Sequence, residues 1–203
     1  YASATTGSAV EKVKEELLKW PDLKIKVIHQ FYNHPAFIKA FAGQMLQHNL
    51  RDFDHIIFSY HGLPLKQLNK VHPGKDSVHC SCTYEMPLAG ALCYKATCYE
   101  TTRLLAKATK LVPDRFSTAF QSRLTKNWLQ PFTDQIIISK AREGAKRLLI
   151  IAPSFVADCL ETIIEIGSDY RKLFKQHGGT ELVLVESLND HDEWAQAIAT
   201  IIR

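Results

Sequence analysis

The chain has 203 residues, 46% hydrophobic and 23% charged, with a formal net charge of +4. This is ordinary globular composition, long enough for one large domain with a real core. The basic residues are scattered without a stripe, which argues against a nucleic-acid partner, and apolar runs stop at about six to eight residues, far short of the roughly 20 that a membrane-spanning helix needs.

No signal peptide is recognisable, so a soluble cytoplasmic protein is the expectation. The opening Tyr1-Ala2-Ser3-Ala4-Thr5-Thr6-Gly7 is small and polar and reads as a loop cut from something longer. Ser8 followed by Glu11 fits a capping box, and Val10, Val13 and Leu17 mark one helical face. Pro21-Asp22 ends that helix, so residues 1–23 read as a connecting segment and helix. Lys24-Ile25-Lys26-Val27-Ile28-His29 alternates and predicts a strand. Asn33-His34-Pro35 turns into a helix with Phe37, Phe41, Met45 and Leu46 on its buried side.

His55-Ile56-Ile57-Phe58 predicts a short buried strand, which Gly62 and Pro64 then break. His61 is thereby placed on a loop at the carboxyl end of a strand, the edge where open α/β sheets bind ligands. Residues 64–87 form a long connection with few apolar residues, and stretches of that kind are usually functional or mobile. A helix is predicted over residues 91–110, with Leu92, Leu104, Leu105 and Ala108 inward. Phe116-Ser117-Thr118-Ala119-Phe120 predicts a strand, Thr133-Asp134 starts a helix to Arg142, and Arg147-Leu148-Leu149-Ile150-Ile151-Ala152 predicts another strand, broken by Pro153. Asp158 is read as the cap of a helix running to about Gln176, ended by Gly178-Gly179. Glu181-Leu182-Val183-Leu184-Val185 predicts a fifth strand, and a last helix spans about Asp190 to Arg203. Strands alternating with helices in units of roughly 30 residues predict an α/β fold, a parallel sheet with helices on both faces.

Three stretches that follow strands carry unusual polar groups: Tyr60-His61-Gly62, Gln121-Ser122-Arg123, and the run from Pro153 to Glu161. A parallel sheet gathers them at one edge. A histidine there can take a proton near neutral pH or donate a nitrogen to a metal. Singly, each has a plain structural reading: a hydrogen-bonded loop histidine, a surface arginine, a core Trp128. Asp158 and Glu161 also fit the D-x-x-E capping pattern. Asp158, Glu161, Glu165 and Asp169 lie at i, i+3, i+7 and i+11, which puts four carboxylates along one helical stripe. Such a stripe is either solvated or suited to conducting a hard cation or protons.

Four of the five cysteines, Cys80, Cys82, Cys93 and Cys98, fall within nineteen residues. A disulfide scaffold does not suit a domain of this size without a secretion signal. Four thiolates can hold tetrahedral zinc or an iron–sulfur cluster. The alternative is four reduced cysteines in a mobile loop.

At these residues the chain resembles the ferrochelatases, enzymes that insert Fe(II) into a porphyrin to make haem. Ser59-Tyr60-His61-Gly62-Leu63-Pro64 is similar to the family's S-(A/Y)-H-(G/S)-(I/L)-P. Phe120-Gln121-Ser122-Arg123, with Trp128-Leu129 and Pro131-Phe132-Thr133-Asp134, resembles its F-Q-S-R, W-L and P-Y-T-D segment. The run Pro153 to Thr162 resembles its P-G-F-x-(A/S)-D-(C/H)-(L/I)-E-T. Family members are longer and fold as two similar α/β halves. The resemblance therefore implies that residues 24–203 are the C-terminal half, with a cysteine-bearing insert at about 64–100. The N-terminal half, which supplies much of the porphyrin wall, would be absent, and this fragment alone inactive.

Carried over by position, the resemblance implies an Fe(II) site at His61 and Glu161, an acidic path through Asp158 and Glu165, and substrate contacts at Ser122, Trp128 and the Gly62 turn. It also implies a 2Fe–2S cluster on Cys80, Cys82, Cys93 and Cys98, as in a subset of bacterial members with an internal four-cysteine segment. Porphyrin, with protoporphyrin IX expected, and ferrous iron would be the substrates, and peripheral membrane contact is left open. Two other readings stand beside this one. One is a cobalt or nickel chelatase for a different tetrapyrrole; the other is a haem- or cluster-binding module without catalysis.

Overall fold

The segment His55–His61 is apolar or small at nearly every position, and in the computed structural model it is the central strand β1. The structure describes residues 1–72 and 76–203; residues 73–75, inside the predicted connection, lie outside the described residues. On one side β1 pairs in parallel with β2 (Phe116–Gln121), and on the other with β3 (Arg147–Ile151), which pairs with β4 (Glu181–Leu184). The sheet order is β2-β1-β3-β4, all parallel.

Strands buried on both faces have continuous apolar runs, and the two faces of β1 feed two cores. Ile56, Phe58 and Tyr60 pack with Phe37, Phe41 and Met45 of α2 (Pro35–Leu46), Leu105 of α4 (Tyr94–Ala108) and Ala197 of α7 (Asp192–Ile201). Ile57 packs the other way, with Ile137 and Ala141 of α5 (Thr133–Arg142), and with Ile166, Tyr170 and Phe174. Helices thus cover both faces, as the alternation of predicted elements requires.

The first helix, α1 (Ser8–Leu17), buries no residue. Its expected capping box does not form. A wide helical turn already runs over Ser3–Gly7, and the Ser8 hydroxyl donates to the Ala4 and Thr5 carbonyls instead of capping an N–H. The strand expected at 24–29 is also absent: the segment is irregular and mostly exposed, with Ile25 46% accessible. Its alternation suits a strand, but no strand among the described residues lies beside it to complete a ladder. The connection after Pro64 is not structureless, since α3 (Leu65–Val71) occupies its start and buries Leu68. In α4 the helix begins only at Tyr94, so Leu92 lies before it and is exposed, as is Ala108. The element expected to be one α-helix from Asp158 is a π-helix over Glu161–Tyr170 that continues as α6 (Arg171–Gln176).

Candidate active site

The register of β1 and β2 sets His61 beside Gln121 at the carboxyl edge of the sheet. His61 is the last residue of β1 rather than a loop residue. The chain then turns tightly. The Gly62 N–H donates to the Gln121 carbonyl at 2.8 Å, and a Cβ on Gly62 would sit 2.9 Å from that oxygen and 3.3 Å from the Trp128 ring. Glycine is needed here for close approach. The Trp128 loop is tied to the same turn by Leu129 N–H to the Leu63 carbonyl (2.9 Å) and Leu65 N–H to the Asn127 carbonyl (3.0 Å).

His61 Nδ1 lies 2.6 Å from the Gly62 carbonyl. A carbonyl only accepts, so Nδ1 carries the proton and Nε2 carries the free lone pair. The ring lies between Trp128 and Phe155, with centroids 6.2 and 6.3 Å away. Its backbone is held by the Tyr94 hydroxyl, which donates to the His61 carbonyl at 2.8 Å.

The acids come from the segment after β3. In a π-helix the i→i+5 bonding gives each turn roughly one residue more than an α-helix. Residues four apart still share a face, as they do in an α-helix, and Glu161, Glu165 and Asp169 all line one cleft of about 580 Å³ with His61, Ser122 and Trp128. Leu124 and Leu160, 83% and 75% exposed, give this cleft an apolar rim. A second cavity of about 460 Å³ also reaches His61, from the side of Tyr94 and Ser154.

Glu161 is the open acid of the cleft. The Cys159 thiol, then its own backbone N–H, hold its carboxyl below the usual range, and His61 adds to this. Glu165 is instead saturated. It accepts from the Ser122 N–H (2.8 Å), the Ser122 hydroxyl (2.5 Å), Gln121 Nε2 (3.2 Å) and the Tyr170 hydroxyl (2.7 Å). This clamp accounts for Ser122 adopting φ +59°, a left-handed conformation uncommon outside glycine. Ser122 lines the cleft, but its hydroxyl is committed to Glu165.

Asp158 does not join the stripe. It lies before the π-helix and outside the cleft lining, locked in a two-way bond with Asn189: Asp158 N–H to Asn189 Oδ1 and Asn189 Nδ2 to Asp158 Oδ2, both 2.8 Å. The Thr162 hydroxyl donates to its other oxygen at 2.9 Å. Burial works against its charge, but the bonds from Asn189, Thr162 and Ser187 outweigh this and hold its carboxyl below the ordinary range. Arg123 is likewise committed, paired with both oxygens of Asp134 and stacked over Phe132 at 4.0 Å.

The four clustered cysteines do not form the single set that the resemblance implies. His72, Cys82 and Cys93 bring their donor atoms within 4.8 Å of one another, and Cys80 packs beside them. Cys98 lies apart, buried with its thiol against the Tyr94 hydroxyl. His72, Tyr94, Tyr170 and Asn189 escape the sequence reading. Of these only Asn189 carried a signal, a Leu-Asn-Asp turn that the structure fulfils with φ +44°.

The ferrochelatase family profile matches residues 1–203. A protein named ferrochelatase from Legionella pneumophila is 40% identical over 207 aligned residues, covering 100% of this chain and 61% of its own length. Another of that name from Pseudomonas fluorescens is 37% identical over 206 residues, covering 99% of this chain and 60% of its own. The chain thus spans about 60% of the length of the curated relatives it matches.

Proposed function

The chain belongs to the ferrochelatase family, and on that premise we propose that it is the metal-site half of an enzyme that inserts Fe(II) into a porphyrin, with protoporphyrin IX as substrate. The observation that carries this reading is the pairing of His61 and Glu161 on one cleft. One offers a free Nε2 lone pair, the other an ionised carboxylate, beneath an apolar rim.

Insertion exchanges two pyrrole N–H protons for one Fe(II), so two protons must leave for each metal that enters. His61 Nε2 is placed to take a proton or to hold iron as it sheds water. Glu161 lines the same cleft and would serve as a hard oxygen ligand. Trp128 and the Gly62 turn shape one wall, and Leu124, Leu160 and Ile164 offer the macrocycle an apolar surface. The same exposed rim would allow peripheral membrane contact. Asp169 continues the acidic face outward from Glu165 and gives iron or protons a route to the surface. In this reading Asp158 and Glu165 support the site: Asp158 fixes the start of the π-helix, and Glu165 pins it to the Ser122 turn.

The rest of the relatives' length supplies the opposite porphyrin wall, so the 203 residues alone should not turn over. No helix among the described residues is long and apolar enough to cross a membrane. Five free cysteines suit a reducing compartment such as the cytoplasm.

The test is Fe(II) insertion into protoporphyrin IX by the full-length protein, with coproporphyrin, Co(II) and Ni(II) in competition. His61→Ala and Glu161→Gln should each lower kcat by 10²-fold or more, as expected for loss of a group acting in the transition state. Near-normal turnover by a folded His61→Ala protein would remove His61 from the chemistry.

A further inference from the structure

We propose that His72, Cys80, Cys82 and Cys93 form a mononuclear, four-coordinate metal site of the zinc type, in which His72 stands where the four-cysteine reading would have put Cys98. The site lies away from the iron cleft and does not depend on the insertion reaction.

The donors are nearly in place. Tetrahedral Zn–S and Zn–N bonds of about 2.3 and 2.0–2.1 Å put neighbouring ligand atoms about 3.6–3.8 Å apart. His72 Nε2 already lies 3.3 Å from Cys82 Sγ, and the donor atoms of His72, Cys82 and Cys93 all lie within 4.8 Å of one another. For these three donors, closing onto one ion takes about 1 Å of movement or less. Cys82 and Cys93 are buried, whereas Cys80 is half-exposed and packs beside this pair, from where its sulfur would swing in to complete the set.

Two further observations suit an anionic metal–thiolate group here. Cys93 is the N-cap of α4; burial pushes its thiol up, but the backbone N–H groups of Ala96 and Lys95 point at its sulfur and oppose this. A helix N-terminus favours an anion at that position. Next, Lys95 is only 6% exposed, and its ammonium has a single partner among the described residues, the Ser77 carbonyl at 2.8 Å. The Cys80 thiol donates to that same carbonyl at 3.3 Å, a bond it must leave to become a ligand. A buried ammonium without a counter-charge is costly. Three thiolates and a neutral imidazole around a dication carry a net charge of −1, which meets it.

Cys98 is poorly placed to be the fourth ligand. It lies five residues beyond Cys93, which turns it about 140° around the helix at 3.6 residues per turn. Its thiol is fully buried, and that burial pushes it well above the ordinary thiol range. It faces the Tyr94 hydroxyl.

The test uses the full-length protein purified anaerobically, with metal content, visible spectrum and X-ray absorption at the bound metal. One zinc per chain, replaceable by Co(II) to give tetrahedral d–d bands, with a shell of three sulfurs and one nitrogen, is the expected result. His72→Ala and Cys93→Ser should each weaken metal retention at least tenfold against a chelator, whereas Cys98→Ser should retain it. A four-sulfur shell, the visible spectrum of a 2Fe–2S cluster, or no metal taken up from zinc or Co(II) would overturn the proposal. So would loss of the metal from Cys98→Ser with retention in His72→Ala. The shell is read on the wild-type protein, so the result stands even where a variant fails to fold.

Discussion

The hydroxyl of Tyr94 donates to the backbone carbonyl of His61, and Tyr94 is the residue after Cys93. One side chain therefore joins the end of β1, which carries the candidate iron-site imidazole, to the start of α4, which carries a sulfur of the His/Cys group. Tyr94→Phe leaves the His61 carbonyl short of a buried donor and should cost about 1–3 kcal/mol. Urea unfolding measures this. In the full-length protein, on the proposed insertion activity, the same variant should lower kcat more than it changes KM, because the change lies behind the imidazole and not at the proposed porphyrin surface.

Gly62 is where a single methyl group does most harm. Its Cβ would meet the Gln121 carbonyl and the Trp128 ring together, so either the β1–β2 edge opens or the tryptophan leaves the cleft wall. Gly62→Ala should destabilise by about 1–3 kcal/mol, the usual range for overpacking. Tryptophan fluorescence separates the two responses. A red shift reports Trp128 moving out, and porphyrin affinity should fall with it. A variant with unchanged stability and emission would show that the turn has slack.

The Glu165 clamp gives a third expectation. Four donors converge on one carboxylate, so Glu165→Gln turns an amide N–H₂ toward either the Ser122 N–H or the Gln121 amide, which can only donate. The Ser122 turn and the π-helix should then separate. Tyr170→Phe removes a single charge-assisted bond and should cost about 1.5–3 kcal/mol. Glu165→Gln should cost more, and hydrogen exchange at residues 121–123 should rise in both. Equal, small effects would mean that the clamp does not hold the turn.

The strands that flank the cleft were legible because burial on both faces leaves apolar runs such as His55-Ile56-Ile57-Phe58 and Leu148-Leu149-Ile150-Ile151 with no competing period. The same rule misled at Lys24–His29, since alternation reports a half-buried strand but not whether a partner strand exists to complete it. His61 and Glu161 were legible as polar groups in stretches that follow strands, whereas Trp128 read as core and joined the candidate site only through the family resemblance. The π-helix was not, because apolar and acidic spacings of three and four read equally well as an α-helix. The acids divide where the helix begins: Glu161, Glu165 and Asp169, four apart, share its face, whereas Asp158 precedes it and bonds Asn189, from a loop thirty-one positions away. Likewise, cysteine spacing carries no information on which way α4 turns Cys98, nor that His72 returns to Cys82.

His55, at the opposite end of β1 from His61, gives the fold a pH dependence separate from catalysis. It is buried, with Nε2 2.7 Å from the Ser117 hydroxyl. Burial pushes its pKa down from 6.5 to about 4, helped by Lys140 and Arg115 and opposed by Glu143. The unfolded chain therefore takes up this proton near pH 6.5, and the folded protein only near pH 4. Between those values the unfolded state holds more protons, so stability falls as pH drops through that window and levels off, for this group, below it. The carboxylates held low by their partners, Asp54 and Asp158 among them, lose their contribution at lower pH, so the stretch from pH 6.5 to 4.5 isolates the histidine. Tm measured across that stretch should decline steadily in the wild-type chain. In His55→Gln, which keeps a hydrogen-bonding group toward Ser117 but cannot titrate, the decline should flatten. An equal slope in both proteins would assign the acid sensitivity to groups other than His55.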